Sequence, residues 1–351
     1  MEVRLDSDER LDAFRSDGEN PTEPSYYRIP HVAVTDHRLN QRQSPRQIVG
    51  IGSAVVDSQM LLEQFPGEDR KETAIELRQQ TGGPVPTALA VLQRLGHSCH
   101  QIGPWGTDAL GQFLEADLKR EGITWSESCA SADCITGLAH VWTATGNGTR
   151  TIVARPADWQ HLRFSDDDRQ RLEACDALHL DGNGSDLTLD AAKIVKASGG
   201  LVMVDAGAPK AATAELMSLA DVFSFPERFA EQFYENPCPA HAAQQILQQG
   251  AKQVICTRGE NGAIVYERSA RTELSAYPVT VIDSTGAGDV FCGAVLAALL
   301  EKNSLVDSVR WASAAAALKC TQPGNRDALP TREAIDSLVR RFDRNGIPQS
   351  Q

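Results

Sequence analysis

Short apolar strands alternate with helical segments over residues 177–257. The strand segments are nearly continuous apolar runs, such as LVMVD at 201–205 and QVICT at 253–257. Strands of this kind are buried on both faces, which is typical of a parallel sheet covered by helices on each side. We therefore predict an α/β fold built on a mostly parallel central sheet.

The same patterns place most of the individual elements. Strands are predicted over 177–180, 201–205, 221–225 and 253–257, and helices over 187–198, 211–220 and 239–249. Nearer the start of the chain, a strand begins at Gln47, and helices are predicted over 87–95 and 109–120. Strand-like segments at 135–145 and 150–156 flank a glycine-containing turn, which indicates an antiparallel hairpin. A long helix is predicted over 285–301.

The first 46 residues differ from the rest of the chain. They are polar, mixed in charge and interrupted by Pro21, Pro24, Pro30 and Pro45. Such a segment lacks the apolar material for a packed core, so we predict a loosely ordered extension followed by a single domain over 47–345.

Composition excludes several classes of function. The formal net charge of the 351-residue chain is −13, which disfavours a nucleic-acid partner or an anionic membrane surface. No apolar run reaches the roughly 18 residues of a membrane span, and the N-terminal segment resembles no targeting sequence. The eight cysteines form no C-x-x-C pair. Free buried thiols in a reducing compartment are therefore expected, and the predicted location is the cytoplasm.

The segment most informative about chemistry begins at Val281. An apolar run leads into the turn Gly286-Ala287-Gly288, and a long helix follows with Asp289 in its first turn. Small residues let backbone N–H groups approach a ligand, and a helix N-terminus carries partial positive charge, so the turn can bind an anion. An Asp at this position is either a helix cap or a general base. An anion site beside a carboxylate is what phosphoryl transfer to an alcohol requires.

Residues 283–289 read D-S-T-G-A-G-D, which resembles the second signature of the PfkB, or ribokinase-like, carbohydrate kinase family. The resemblance implies that Asp289 is the catalytic base and that Gly286, Ala287 and Gly288 form the anion hole. It also implies a monovalent cation, K⁺, near Asp283.

The first family signature is matched by Gly82-Gly83 and a helix that ends in Leu95-Gly96. The resemblance implies that Gly82 and Gly83 lie against the sugar. Thr87 stands where the family often has Asn, so a side chain with fewer hydrogen-bonding groups contacts the substrate. Asp57 is either a turn residue or, as in the family, the group that binds two sugar hydroxyls.

A nucleotide site is implied by T-x-G-x-x-G at 257–262, which supplies Thr257, Gly259 and Gly262. The family's N-x-x-E motif, which helps hold Mg²⁺, is absent, and Glu227 is the approximate substitute. Gly324 belongs to a loop that resembles the one closing over the nucleotide. The implied cosubstrate is ATP with Mg²⁺.

The resemblance covers about residues 48–342 and implies a three-layer αβα sandwich with a small β lid from about 58–80 and 135–155. The implied function is an ATP-dependent sugar kinase, and a homodimer is expected. A nucleoside or sugar-phosphate kinase of the same fold, and a catalytically idle binding protein, remain open. Arg150 and Arg155 on the predicted hairpin are either solvated charges or ligands for an anionic group of the substrate, and Arg155 is the candidate. Neither a P-loop nor a complete dinucleotide fingerprint is found.

Overall fold

The computed structural model describes residues 44–145 and 150–345. The strands in these ranges are β1 (Gln47–Ile51), β2 (Val55–Leu62), β3 (Glu76–Gly82), β4 (Ser98–Ile102), β5 (Trp105–Gly106), β6 (Thr124–Trp125), β7 (Ala130–Ser131), β8 (Gly137–Ala144), β9 (Arg150–Arg155), β10 (Ala177–Leu180), β11 (Leu201–Asp205), β12 (Val222–Pro226), β13 (Gln253–Thr257), β14 (Ala263–Glu267) and β15 (Ala270–Leu274). The helices are α1 (Pro84–Arg94), α2 (Ala109–Arg120), α3 (Asp166–Ala174), α4 (Ser185–Ala197), α5 (Thr213–Leu219), α6 (Arg228–Tyr234), α7 (Pro239–Gln249), α8 (Ala287–Leu300), α9 (Leu305–Cys320) and α10 (Arg332–Asn345).

The central sheet has nine strands in the order β15-β14-β13-β12-β11-β10-β1-β4-β6. The strands from β13 to β6 in this order run parallel, and β14 and β15 are antiparallel. The predicted α/β sandwich with a mostly parallel sheet is therefore confirmed. All carboxyl ends of the parallel strands lie at one edge, which is where ligands bind in open α/β sheets.

A second sheet has four strands in the order β3-β2-β8-β9. Strands β2 and β8 run parallel, whereas β2 with β3 and β8 with β9 are antiparallel. Most of this sheet comes from the two segments predicted to form the lid, and β2 begins only four residues after β1 ends. The hairpin of β8 and β9 is present, and its predicted turn at 146–148 lies outside the described residues.

Helices α1 and α8 cross in close contact because Gly293 of α8 faces the backbone of Ala88. A Cβ placed on Gly293 would lie 2.7 Å from the carbonyl oxygen of Ala88. The crossing brings together the two helix N-termini, since the position of a Cβ on Gly286 is 3.6 Å from the Thr87 methyl carbon. The helices of the two signature segments, α1 and α8, therefore begin next to each other in the fold.

Several elements differ from the prediction. Helix α1 starts at Pro84, before the predicted Thr87, because proline is tolerated in the first turn of a helix. Helix α3 was not predicted, although Ser165 and Asp168 form a capping box at its start. The predicted N-terminal extension lies almost wholly outside the described residues. No helix in the described part of the chain is long and apolar enough to cross a membrane.

Candidate active site

The N-terminus of α8 provides donors for an anion. Gly286 adopts a left-handed conformation, φ 75°, which turns the chain into the helix. The N–H of Ala287 donates to the carbonyl of Ser284 at 3.2 Å, so the turn itself uses this donor. The N–H groups of Gly288 and Asp289 have no acceptor within the helix because of their position in its first turn. Of the predicted anion-hole residues Gly286, Ala287 and Gly288, the structure thus uses the N–H of Ala287 within the turn and leaves the N–H of Gly288 free, together with that of Asp289.

Space for a ligand lies in front of this turn. A Cβ placed on Gly288 meets no atom within 4 Å. Asp289 is half-buried and lies in the first turn of α8. An anion approaching the free N–H groups therefore comes close to the Asp289 carboxylate.

The electrostatic environment of Asp289 suits a general base. Burial and the nearby carboxylate of Asp181 raise the pKa of Asp289. The positive charges of Arg326, Lys319 and Arg150 oppose this rise. A carboxyl whose pKa moves towards neutrality accepts a proton more readily than an ordinary exposed Asp.

Asp205 and Asp181 are acidic neighbours that the sequence analysis did not single out. Asp205 is the last residue of β11, and Asp181 directly follows β10. Burial, followed by the charge of Asp289, raises the pKa of Asp205. The carboxylate of Asp181 accepts from the N–H groups of Ser53 and Asn183, at 2.8 and 2.9 Å. Their positions at strand ends were the signal that could have found them.

Asp57 lies on β2 and faces the same site. A Cβ on Gly82 would overlap its carboxylate, so only glycine fits beside it. Asn325 donates through its side-chain amide to Asp57 Oδ2 at 3.3 Å. Burial and the negative charge of Asp289 raise the pKa of Asp57 to about 7, whereas Arg326 and Asn325 lower it. The charge of Asp289 therefore acts on the ionisation of Asp57.

Gly83 and Thr87 lie at the N-terminal end of α1. Gly83 caps the helix with φ 98°, and a Cβ there would overlap the carbonyl oxygen of Ser53. Thr87 is completely buried, and its hydroxyl accepts from Arg326 Nη1 at 3.4 Å. The hydroxyl of Thr87, which is predicted to contact the substrate, is thus a partner of Arg326 in this structure.

Arg326 is an important residue that the sequence analysis missed. Its Nε donates to Asp117 Oδ2 at 2.9 Å, and both side chains are 4 % exposed. The neighbouring Asn325 also donates from its main chain to Gln80 Oε1 at 2.8 Å. Both residues directly follow Gly324, and the sequence analysis did not foresee their contacts with Gln80 and Asp117.

The two arginines of β9 lie on opposite faces of the four-stranded sheet. Asp57 shares a row with Ala154, through Ala139 of β8, and side chains alternate along a strand. Arg155 therefore points away from the Asp57 face. Arg150 lies on that face and donates to the Ser284 hydroxyl at 3.4 Å. The predicted ligand Arg155 and the Asp57 carboxylate therefore lie on opposite faces of this sheet, whereas Arg150 shares the face of Asp57.

The predicted nucleotide residues gather beyond β12 and β13. Glu227 is exposed, and its N–H donates to the carbonyl of Thr257 at 3.0 Å. Gly259 has φ 56° and open space around it. Gly262 is a packing residue, because a Cβ there would overlap the carbonyl oxygen of Leu274.

Gly324 is hydrogen-bonded to Asp283, the first residue of the 283–289 segment. Its N–H donates to Asp283 Oδ2 at 3.0 Å, and Thr285 donates to Oδ1 at 2.9 Å. Lys319 lies 3.6 Å from Asp283 Oδ2. Although burial opposes ionisation, these two N–H groups and Lys319 hold the pKa of Asp283 below its usual value.

Comparison with known proteins defines the class. The sequence profile of the pfkB family carbohydrate kinases matches residues 45–332. The chain therefore belongs to this family and is a carbohydrate kinase, an enzyme that phosphorylates an alcohol group.

Its relatives include sugar kinases of two kinds. Ribokinase of Haemophilus influenzae is 27 % identical over 261 residues, which cover 72 % of this chain and 85 % of the relative. Fructokinase of Vibrio alginolyticus is 27 % identical over 285 residues, covering 75 % and 92 %. Arabidopsis thaliana ribokinase, solved with ribose and ATP, superposes with a TM-score of 0.75 at 25 % identity, covering 84 % and 99 %. The chain is thus similar to ribokinases and fructokinases.

Proposed function

We propose that this kinase transfers the γ-phosphoryl group of Mg·ATP to a hydroxyl of a monosaccharide or sugar derivative, with Asp289 as general base. The observation that carries the proposal is that Asn325 joins Asp57 to the start of α8, where Asp289 and the free N–H groups lie. Asn325 donates to Asp57 at 3.3 Å, and a Cβ placed on Gly286 would lie 3.0 Å from Asn325 Oδ1. Two carboxylates with different neighbours suit two tasks, namely holding sugar hydroxyls and removing a proton.

The reaction follows from this arrangement. Asp289 accepts the proton of the sugar hydroxyl as its oxygen attacks the γ-phosphorus. A new P–O bond forms, the bond to the β-phosphate oxygen breaks, and ADP leaves with that electron pair. The N–H groups of Gly288 and Asp289 stabilise the negative charge on the transferred group. Arg150, which contacts Ser284 beside this turn, adds positive charge.

The sugar side of the site favours a ligand rich in hydroxyl groups. Thr81 Oγ1, Asn325 Oδ1 and Gln80 Nε2 are buried without a hydrogen-bond partner among the described residues. Gln80 and Asn325 contact each other, and Asn325 contacts Asp57. Buried polar atoms without partners are costly, so hydroxyl groups of a bound sugar would satisfy them.

The nucleotide side is proposed from the residues beyond β12 and β13. Thr257, Gly259 and Glu227 would contact the phosphates and ribose of ATP, and Gly324 would lie in the loop that closes over them. The bound ATP of the Arabidopsis relative supports this proposal. Mg²⁺ would arrive with the nucleotide and neutralise its phosphate charge, with Glu227 as the nearby carboxylate.

A second copy of the chain is the proposed partner. Strand β9 forms one edge of the four-stranded sheet, and Ile152 and Val153 are 51 % and 60 % exposed. An exposed apolar edge strand favours association with another strand. The free cysteines, most of them buried, support the proposed location in the reducing cytoplasm.

A substrate panel tests the proposed function. ADP release from Mg·ATP is measured with pentoses, hexoses, sugar acids, sugar phosphates and nucleosides, and each product is identified by mass spectrometry. We expect turnover with a neutral monosaccharide. Turnover only with a sugar phosphate would instead support the alternative acceptor, with Arg150 as its ligand. ATP binding without turnover on any compound would contradict the proposal and support the idle relative.

A further inference from the structure

Lys319 is an unusual residue because its charged group is completely buried. It lies in the last turn of α9, and its side chain is 0 % exposed. Nζ donates to the main-chain carbonyl of Asp283 at 2.7 Å and lies 3.6 Å from Asp283 Oδ2. Burying an ammonium group is costly unless it is paired, so the contacts of Lys319 with Asp283 must offset the cost of its burial.

Both oxygens that Lys319 contacts belong to Asp283, and Asp283 also connects the loops around the site. The Asp283 carboxylate accepts from Thr285, just before the Gly286 turn, and from Gly324, in the closing loop. The main-chain N–H of Asp283 donates to the carbonyl of Cys320 at 3.2 Å. One carboxylate and one cation therefore join the end of α9, the closing loop and the turn at the start of α8.

The monovalent cation expected at Asp283 does not fit this arrangement. Carbonyl and carboxylate oxygens are suitable ligands for K⁺, and Asp283 offers one of each. Both oxygens already face the Lys319 ammonium group, which has a single positive charge. A K⁺ ion in contact with the same oxygens would lie beside a fixed positive charge in a buried place, where repulsion between like charges is strong.

We propose that the Lys319 ammonium group takes the place of a monovalent cation in this enzyme, so that phosphoryl transfer needs no K⁺. Lys319 is a positioning residue, since it acts through Asp283 on the turn that presents the N–H groups of Gly288 and Asp289. Its positive charge also opposes the rise in the pKa of Asp289. The kinetic part of this inference rests on the proposed function, whereas the cation-binding part does not.

Two variants separate the charge from the space it fills. Lys319→Ala removes the charge and leaves room for an ion, whereas Lys319→Met fills the space with an uncharged chain. The matched control is Lys193→Ala, which removes a lysine with 64 % exposure on α4. Each protein is assayed in potassium, ammonium or tetramethylammonium chloride at constant ionic strength.

We expect the activity of the wild type and of Lys193→Ala to be the same in all three salts. The kcat of Lys319→Ala falls about 100-fold in tetramethylammonium, since the turn loses its position. Potassium or ammonium restores much of this loss. Lys319→Met shows the loss without the restoration.

Thermal melting provides a readout that needs no substrate. Potassium raises the Tm of Lys319→Ala relative to tetramethylammonium and leaves the wild type unchanged. A response of the wild-type Tm or activity to potassium would overturn the proposal, even if Lys319→Ala does not fold. A folded Lys319→Ala that ignores potassium in melting would also overturn it. If melting behaves as expected but no compound is phosphorylated, the proposed function fails and the cation substitution stands.

Discussion

The close crossing of α1 and α8 predicts that Gly293→Ala damages both stability and catalysis. The new Cβ would lie 2.7 Å from the Ala88 carbonyl oxygen, 3.0 Å from its Cα and 3.2 Å from its carbonyl carbon. An ordinary contact begins at 3.4 Å, so the helices must separate by about 0.7 Å. These contacts are backbone atoms in a helix, so no side-chain rotation relieves the overlap.

This separation has two measurable consequences. Overpacking of this kind lowers the free energy of unfolding by about 1–3 kcal/mol. It also moves Asp289 on α8 relative to Gly83 and its neighbours on α1, and a displacement approaching 1 Å lowers kcat/KM by up to about 100-fold.

Urea unfolding and steady-state kinetics on the preferred sugar measure these effects. Gly67→Ala is the control for stability, because it is exposed and its Cβ would meet only Arg70 Cγ at 3.7 Å. The control changes the free energy of unfolding by less than about 0.5 kcal/mol. Wild-type stability together with wild-type kcat/KM in Gly293→Ala would refute the reasoning that the crossing sets the geometry of the site.

Three further predictions follow from buried charges and from the exposed edge strand. Burial raises the pKa of Asp57 from 3.8 to about 7, so the Asp57 carboxyl ionises less readily in the folded protein than in the unfolded chain. The free energy of unfolding of the wild type therefore falls, relative to that of Asp57→Asn, as the pH rises from 3.8 to 7. Urea titrations across this range measure the difference, and a constant difference contradicts the prediction. Asp117→Asn leaves the buried Arg326 without its counter-charge and lowers the free energy of unfolding by about 3–5 kcal/mol. A loss below about 1 kcal/mol in urea unfolding would contradict the buried ion pair. Val153→Lys converts the proposed homodimer to a monomer in light scattering, and a variant that remains dimeric places the interface elsewhere.

The fold was largely predictable because its signals are local. The apolar runs of β11 and β13 and the helical spacing between them identify a parallel sheet without knowledge of any partner strand. The elements that were missed are short or polar, such as α3, whose first turn carries three aspartates.

The site was predictable only in part. Asp289 and Gly82 belong to contiguous motifs, so the sequence reveals them. Arg326 and Lys319 act through contacts with residues far away in the chain, at Asp117 and Asp283, and no local pattern indicates those partners. Which arginine of β9 shares a face with Asp57 depends on strand register, because a shift of one residue exchanges the two faces of a strand.

The most direct test of the proposed mechanism is the kcat of Asp289→Asn with Mg·ATP and the preferred sugar. Asp190→Asn is the matched control, since Asp190 is an exposed carboxylate that pairs with the exposed Lys193. We predict that kcat falls by about 10²–10⁴-fold in Asp289→Asn, with unchanged circular dichroism, and stays at the wild-type value in the control. Turnover close to wild type in a folded Asp289→Asn would contradict the assignment of Asp289 as the general base.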